Sequence, residues 1–402
     1  MQPATSLTEI DFADQENPWD FLPATEQPAW RHHPEYNRCR RELRVAPPLV
    51  TESETEDALR AIAKVAAGSA RMLQVGDCAE SFDESGSAAT AAKVDVITEL
   101  AEHLSWRVAQ ETVRFGRMAG QYAKPRSNSL EVVDGVEMPV FRGHLVNAPE
   151  PNVVARHCDP RRLLRAHAAS AEVLDGLRTH WQNPGTPGHN GPWTSHEALV
   201  MDYESPQVRT GVTTGARYLS STHFPWIGER TRQLDHAQVR LLASVSNPVA
   251  CKVGPTVDPA TVVRLCGLLD PDRTPGRLTL IIRMGRSAVA EALAPVVRAV
   301  HRAGHPVVWL SDPMHGNTVR AKTGKKTRYL DAMIDEAVQF RSTLDSLGRH
   351  PGGVHLEVAA TEVTECVGGP VADENALEAH YESLCDPRLS PEQAHEFIES
   401  VF

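Results

Sequence analysis

Short apolar runs alternate with helix-length segments along most of this 402-residue chain, and run after run stops at a polar or charged residue. RMLQVGDC (71–78) reads as a strand, and TVRFGRMAG (112–120), HEALVMDYE (196–204), FPWIGERT (224–231) and PVACKVGPT (248–256) as strands or strand ends. RLTLIIRMG (277–285), HPVVWLSDPMHG (305–316) and GGVHLEVAA (352–360) are clearer. Between the later ones lie the helical patterns DPATVVRLCGLL, AVAEALAPVVRAVHRAG and YLDAMIDEAVQFRSTLDSLG, with Gly304 and Gly348 placed as C-caps. Upstream, TESETEDAL offers Thr51, Ser53 or Thr55 as the N-cap of a helix that Gly68 closes. Such alternation predicts parallel βαβ units.

An open doubly wound sheet and a closed (β/α)8 barrel both satisfy that pattern. No strand is followed by GxGxxG or GxxxxGK[ST], which removes the main argument for a nucleotide-binding sheet. Cys78, Arg117, Lys252, Arg283, His315 and Glu357 end successive runs, and in a barrel all of them converge on the C-terminal mouth. The expected fold is α/β, a (β/α)8 barrel over residues 51–402 with an extended N-terminal arm over 1–50. The arm's Trp19, Phe21 and Trp30 are expected to pack on the body or on a partner subunit. The Gly-, Pro- and Asn-rich segment 176–194 reads as a loop.

The net charge of −11 argues against a general binder of nucleic acid or anionic membrane, so an anionic substrate needs a local basic pocket. Seven scattered cysteines without a CxxC pair do not form a secreted disulfide framework. The first thirty residues lack an apolar h-region, and no run approaches the length of a membrane span. A cytoplasmic, reducing location is expected.

Cys78 stands beside Asp77 where a strand stops, and filler, nucleophile and metal ligand are all open to it. Cys78, His315, Glu357 and Asp386 lie in DCAE, DPMHG, VHLEV and CDPR. One thiolate, one imidazole and two carboxylates suit a catalytic divalent ion such as Mn²⁺, Co²⁺, Fe²⁺ or Zn²⁺. On pattern alone, unrelated core or capping roles remain the simpler account of these four. Arg117, Arg230, Lys252 and Arg283 sit among small or apolar residues, where a charge is costly without a partner. Salt bridges to Glu229 or Asp312 explain any single one; four together favour an anionic ligand, because arginine forks fit phosphate and carboxylate oxygens. Lys124, Arg126 and Ser127 in GQYAKPRSNS make a phosphate clamp, and TGKKTRY (323–329) is a weaker basic stretch.

DCAESF, GRMAGQYAKPRS, VDGVEMPVFRGHLVN, TSHEALVMDYE, WIGERTRQLDHAQV, NPVACKVGP, PGRLTLIIRMG, DPMHGNT, TGKKTRYLD, HPGGVHLEV, VTECVGG and YESLCDPRLSPEQ, in this order from about residue 70 onward, resemble the type II 3-deoxy-D-arabino-heptulosonate 7-phosphate (DAHP) synthases. The resemblance implies a metal-dependent (β/α)8 barrel that condenses phosphoenolpyruvate with D-erythrose 4-phosphate, the first step of the shikimate pathway. It implies Cys78, His315, Glu357 and Asp386 as ligands of Mn²⁺ or Co²⁺, with Zn²⁺ or Fe²⁺ as alternatives. Phosphoenolpyruvate would be held by Arg117, Glu229, Arg230, Lys252 and Arg283, and the erythrose 4-phosphate end by Lys124, Arg126 and Ser127. Lys252, Arg117 and Arg283 would carry the catalysis. A homo-oligomer, dimer or larger, is expected. Cys385 adjoins Asp386, so its sulfur should lie near Cys78 if the metal site is real.

Two departures touch no ligand: Ser311 stands where the family often has Cys, and VAAT follows HLE in place of a TG-containing turn. A third is length. Only THWQNPGTPGHNGPW fills the gap where regulated members carry extra helices, so the chain resembles short forms that serve secondary metabolism and escape inhibition by aromatic amino acids. The competing readings are another metal-assisted phosphosugar aldolase on the same barrel and a non-catalytic regulatory homologue.

Overall fold

The structure, a computed structural model, describes residues 17–133, 135–182 and 191–402, so expectations for 1–16 and 183–190 lie outside the described residues. Eight parallel strands close on themselves: β1 (Ala70–Gly76), β2 (Glu111–Arg117), β3 (Trp193–Glu197), β4 (Phe224–Ile227), β5 (Val249–Val253), β6 (Leu278–Ile282), β7 (Val308–Ser311) and β8 (Pro351–Glu357). Neighbours in sequence are neighbours in the ladder, and β1 pairs with both β2 and β8. This is the expected (β/α)8 barrel. Strands covered by helices outside and by one another inside are buried on both faces, which is why they read as nearly unbroken apolar runs.

The helices are α1 (Tyr36–Val45), α2 (Glu52–Ala66), α3 (Ser87–Val108), α4 (Arg162–Trp181), α5 (Met201–Glu204), α6 (Ala237–Ala243), α7 (Pro259–Leu269), α8 (Val289–Arg302), α9 (Leu330–Ser346) and α10 (Pro391–Val401). Thr51 caps α2, accepting from the Glu54 amide while the Glu54 carboxylate accepts from the Thr51 amide. Gly68, Gly304 and Gly348, at φ of +79°, +74° and +64°, turn the chain just past α2, α8 and α9. Helix α2 precedes β1 and closes the bottom of the barrel. Its Ala58, Ile62 and Val65 share one apolar cluster with the strand residues Met72, Phe115, Trp226 and Ile281.

Three expectations need correction. HEALVMDYE, read as a strand or strand end, holds only the last two residues of β3, His196 and Glu197, and Met201–Glu204 is helical. The segment 176–194 is not wholly loop, because α4 continues to Trp181 and β3 begins at Trp193. No proline interrupts α4 before Trp181, and the ladder partners Phe115 and Arg117 hold Trp193 and Ser195 in register despite the glycines and prolines upstream. The arm is not wholly extended either, since α1 lies within it. Trp30, Tyr36 and Leu43 pack with Leu163, Ala166 and Tyr203, while the Trp19 and Trp30 indoles donate to Ser205 and Asp202. Phe21, by contrast, is 71% exposed. Among the described residues no helix is long and apolar enough to cross a membrane.

Candidate active site

The side chains that end the strands meet over a buried polar layer at the C-terminal mouth. Gln74 of β1 donates to Ser195 of β3 at 2.9 Å and bonds to His355 Nδ1 of β8 at 2.6 Å. His355 Nε2 in turn meets Arg117 of β2, whose Nη2 reaches the Glu357 carboxylate at 2.8 Å. Beyond β2, the Glu80 carboxylate accepts from the amides of Ala119, Gly120 and Gln121 at 2.8–3.0 Å. It fixes the turn that sends residues 121–127 across the mouth. Gly120 stands at φ +144°, where an added Cβ would fall 2.2 Å from His196 Nδ1, so only glycine fits.

The four expected ligands come together. Ligand atoms of Cys78, Glu357 and Asp386 all lie within 4.8 Å of one another, and His315 Nε2 is 3.1 Å from the Glu357 carboxylate. The Lys124 ammonium sits among them, 3.0 Å from Cys78 Sγ, 3.5 Å from His315 Nε2, 2.7 Å from Glu357 and 3.0 Å from Asp386. Lys124 therefore stands inside the ligand cluster, apart from Arg126 and Ser127 with which sequence grouped it. Asp312 accepts from His315 Nδ1 at 2.9 Å and from Lys252 Nζ at 2.8 Å, leaving His315 Nε2 turned to the cluster. Arg328 donates to the other Glu357 oxygen at 2.7 Å. Cys385 packs against Cys78.

Charge in this cluster is mutually enforced. Burial opposes the Glu357 carboxylate, yet His315, Lys124, Arg328 and Arg117 hold its pKa well below the usual range. Burial likewise opposes the Lys124 ammonium, which Cys78, Glu357 and Asp386 hold well above its ordinary value. Burial pushes the Cys78 thiol up, reinforced by its bond to Cys385. Burial lowers the pKa of His315, favouring the neutral imidazole that a metal needs.

Beside the cluster opens a cavity of about 340 Å³ whose walls include Arg117, Lys252, Glu229, Arg230 and Arg283. Glu229 accepts from the Gly254 amide at 2.7 Å and from Arg232 at 2.6 Å, bracing the β4 and β5 ends together. Arg230 donates to Ser127 Oγ at 2.7 Å, and Arg283 to the His315 carbonyl. Arg126 lies at the adjoining groove, its Nη1 buried without a partner. An acidic protein thus concentrates cations in one mouth.

Sequence reading passed over Glu197 and His355 and rated the stretch holding Lys326 and Arg328 only a weak basic signal; all four line or brace the mouth. His355 was accessible from the two-residue period of a strand, which puts it on the same inward face as Glu357. Asp312 was considered only as a salt-bridge partner, and it does bind Lys252, but it also orients His315.

A closed parallel barrel, with a cation-holding cluster of thiol, imidazole and carboxylates beside a cationic cavity, defines an enzyme suited to small, multiply anionic substrates. The model of the class-II DAHP synthetase family matches residues 14–189 and 182–401, and the chain belongs to that family. It is 45% identical over 378 residues to the "Probable phospho-2-dehydro-3-deoxyheptonate aldolase" of Pseudomonas fluorescens, covering 92% of each chain. It is 37% identical over 426 residues to the phospho-2-dehydro-3-deoxyheptonate aldolase of Streptomyces coelicolor, covering 94% of each. With the AroG enzyme of that name from Mycolicibacterium smegmatis it shares 36% over 427 residues, 93% of this chain and 91% of the other.

Proposed function

We propose that this enzyme condenses phosphoenolpyruvate with D-erythrose 4-phosphate and water to give DAHP and phosphate. The observation that carries the reading is the convergence of Cys78, His315, Glu357 and Asp386 on one point beside a cavity walled by Arg117, Arg230, Lys252 and Arg283. The donor set fits a divalent ion: three ligand types meet within a few ångströms, and a side-chain cation already lies among them. Cys78, His315, Glu357 and Asp386 would hold Mn²⁺ or Co²⁺, which when bound supplies Lewis-acid polarisation of the aldehyde oxygen.

The residues do the rest. Arg117, Arg230 and Arg283 hold the carboxylate and phosphate of phosphoenolpyruvate, with Glu229 bracing the wall behind them. Arg126, with its unpartnered nitrogen, and Ser127 take the phosphate of erythrose 4-phosphate at the rim, and Lys124 takes its aldehyde end. The enol carbon of phosphoenolpyruvate attacks the aldehyde, and Lys252 protonates the developing alkoxide. Positive charge at C2 is met by water, and phosphate leaves from the hemiketal by C–O cleavage. Phosphate should appear only when both substrates are supplied; phosphate release from either alone, or none from the pair, would refute the reading.

The same reading makes the enzyme a short form, free of inhibition by aromatic amino acids and serving secondary metabolism. In support, the family model matches in two pieces that meet between α4 and β3. The Streptomyces relative needs 426 aligned positions to cover 94% of this chain, the Pseudomonas relative only 378 to cover 92%. The cytoplasm suits such a reaction, and a homo-oligomer remains part of the proposal.

A further inference from the structure

Asp386 and Cys385 lie on residues 379–390, which form no helix and no longer strand pairing than the single bridge of Leu389 with Val358. A side chain on such a segment keeps a fixed place only if the segment is fastened. Glu365, fully buried, fastens it at two points. Its Oε1 accepts from the amides of Glu382 at 3.1 Å and Ser383 at 2.8 Å, and its Oε2 from the amide of Arg388 at 2.7 Å. The Arg388 guanidinium closes on the same carboxylate, with Nη2 at 2.9 Å from Oε1 and Nε at 3.2 Å from Oε2. Its remaining nitrogen, Nη1, donates to Asp77 Oδ1 at 2.8 Å, and Asp77 Oδ2 lies 2.7 Å from Lys93 Nζ on α3.

Asp77 immediately precedes Cys78, and Arg388 follows Asp386 by two residues. One guanidinium thus ties the end of β1, which carries one ligand of the proposed set, to the segment that carries another. Across this tie the Asp386 amide stands 3.1 Å from Cys78 Sγ. Asp77, Glu365 and Arg388 are not part of the cavity wall. Burying a row of two cations and two anions is costly where apolar packing would serve, so the return on it is sought in what the row orients. An arginine fork grips a carboxylate in its plane and still offers a third nitrogen, whereas lysine is a point charge on a flexible stem.

We propose that Arg388, gripped by Glu365 and Asp77, is a positioning residue that sets Cys78 and Asp386 at the separation a divalent ion requires. The proposal rests on the ligand set read above. Arg388 acts through the two chain segments, and its removal should weaken the hold on the ion before it touches turnover. Without the guanidinium Asp77 keeps Lys93 and Glu365 keeps three amides, so the fold should survive the change.

Arg388→Lys and Asp77→Asn are compared with the unaltered enzyme by calorimetric titration of the chelated protein with Mn²⁺, with urea unfolding in parallel. Each variant should bind Mn²⁺ about 10–100-fold more weakly, while kcat at saturating Mn²⁺ stays within about threefold. The double variant should bind about as weakly as either single one, because both changes break the same link. A Kd within about threefold of the unaltered enzyme's in both single variants, even with stability lost in urea, would leave the row a structural role and overturn the proposal. So would losses that simply add in the double variant. Should Arg388→Lys not fold, Asp77→Asn carries the same test. An unaltered enzyme that takes up no Mn²⁺, or Cys78→Ser and Asp386→Asn variants that bind it undiminished, would instead refute the ligand set itself.

Discussion

Lys124 brings a single positive charge to the point that Cys78, His315, Glu357 and Asp386 share, and Glu357 is tied to three cations besides the neighbouring His315. Removing Glu357 leaves Arg117, Lys124 and Arg328 buried with a partner missing, so Glu357→Gln should destabilise the fold by about 3–5 kcal/mol in urea unfolding. Asp386, at the edge of the cluster, is partly exposed. Mn²⁺ should raise the Tm of the unaltered enzyme, and Asp386→Asn should fold nearly as well yet lose that rise; a variant with an undiminished rise would remove Asp386 from the proposed ligand set. Cys385 against Cys78 makes a second prediction. Chelated enzyme should lose activity to oxidant faster than metal-loaded enzyme, and dithiothreitol should reverse it, because an ion held as proposed would occupy the Cys78 sulfur. Equal sensitivity of the two forms would count against the pairing. These residues lie too far apart in sequence for spacing to link them; residue chemistry alone made them a candidate set, and the family resemblance gave that set its expected role. Glu197 stayed hidden because the apolar run 198–201 lies after it, which conceals that the strand itself ends at Glu197.

Helix α9 reaches behind the site through Glu336, which accepts from the amides of Met284 and Gly285 at 2.8 Å and from Asn317 at 2.7 Å. Burial, only partly offset by these bonds, raises its pKa from 4.5 to about 7. A folded-state value above the unfolded one gives stability that is full below about pH 4.5 and lost as pH climbs through about 7, worth about 3 kcal/mol. Glu336→Gln should flatten that decline, measured by urea unfolding at pH 5 and pH 8; an unchanged slope would show that Glu336 is ionised throughout. The elements themselves were largely legible. Seven of the eight strand runs were placed well, because a strand buried on both faces leaves an apolar run ending in a polar residue. β3 was shifted because WTSHE carries two polar residues inside the strand, Thr194 and Ser195, whose bonds to His223 and to Gln74 only the closed barrel supplies.

Across the whole molecule, barrel closure turns a linear list of strand ends into a ring, and the class of fold was legible for that reason. The arm was not, because α1 is held by contacts with α4 and α5 that no local pattern reveals. With the gap between α4 and β3 short, phenylalanine, tyrosine and tryptophan, singly and together, should leave the rate of phosphoenolpyruvate consumption unchanged. Strong inhibition at sub-millimolar concentration would locate an effector site elsewhere, with the buried Trp19 and Trp30 of the arm the first place to look. Metal-dependent condensation is decided by phosphate release from phosphoenolpyruvate and erythrose 4-phosphate, measured before chelation, after it, and after Mn²⁺ or Co²⁺ is returned. Release from the pair, its loss on chelation and its recovery with the ion are the expected results; release that chelation leaves undiminished would rule out a metal-dependent condensation.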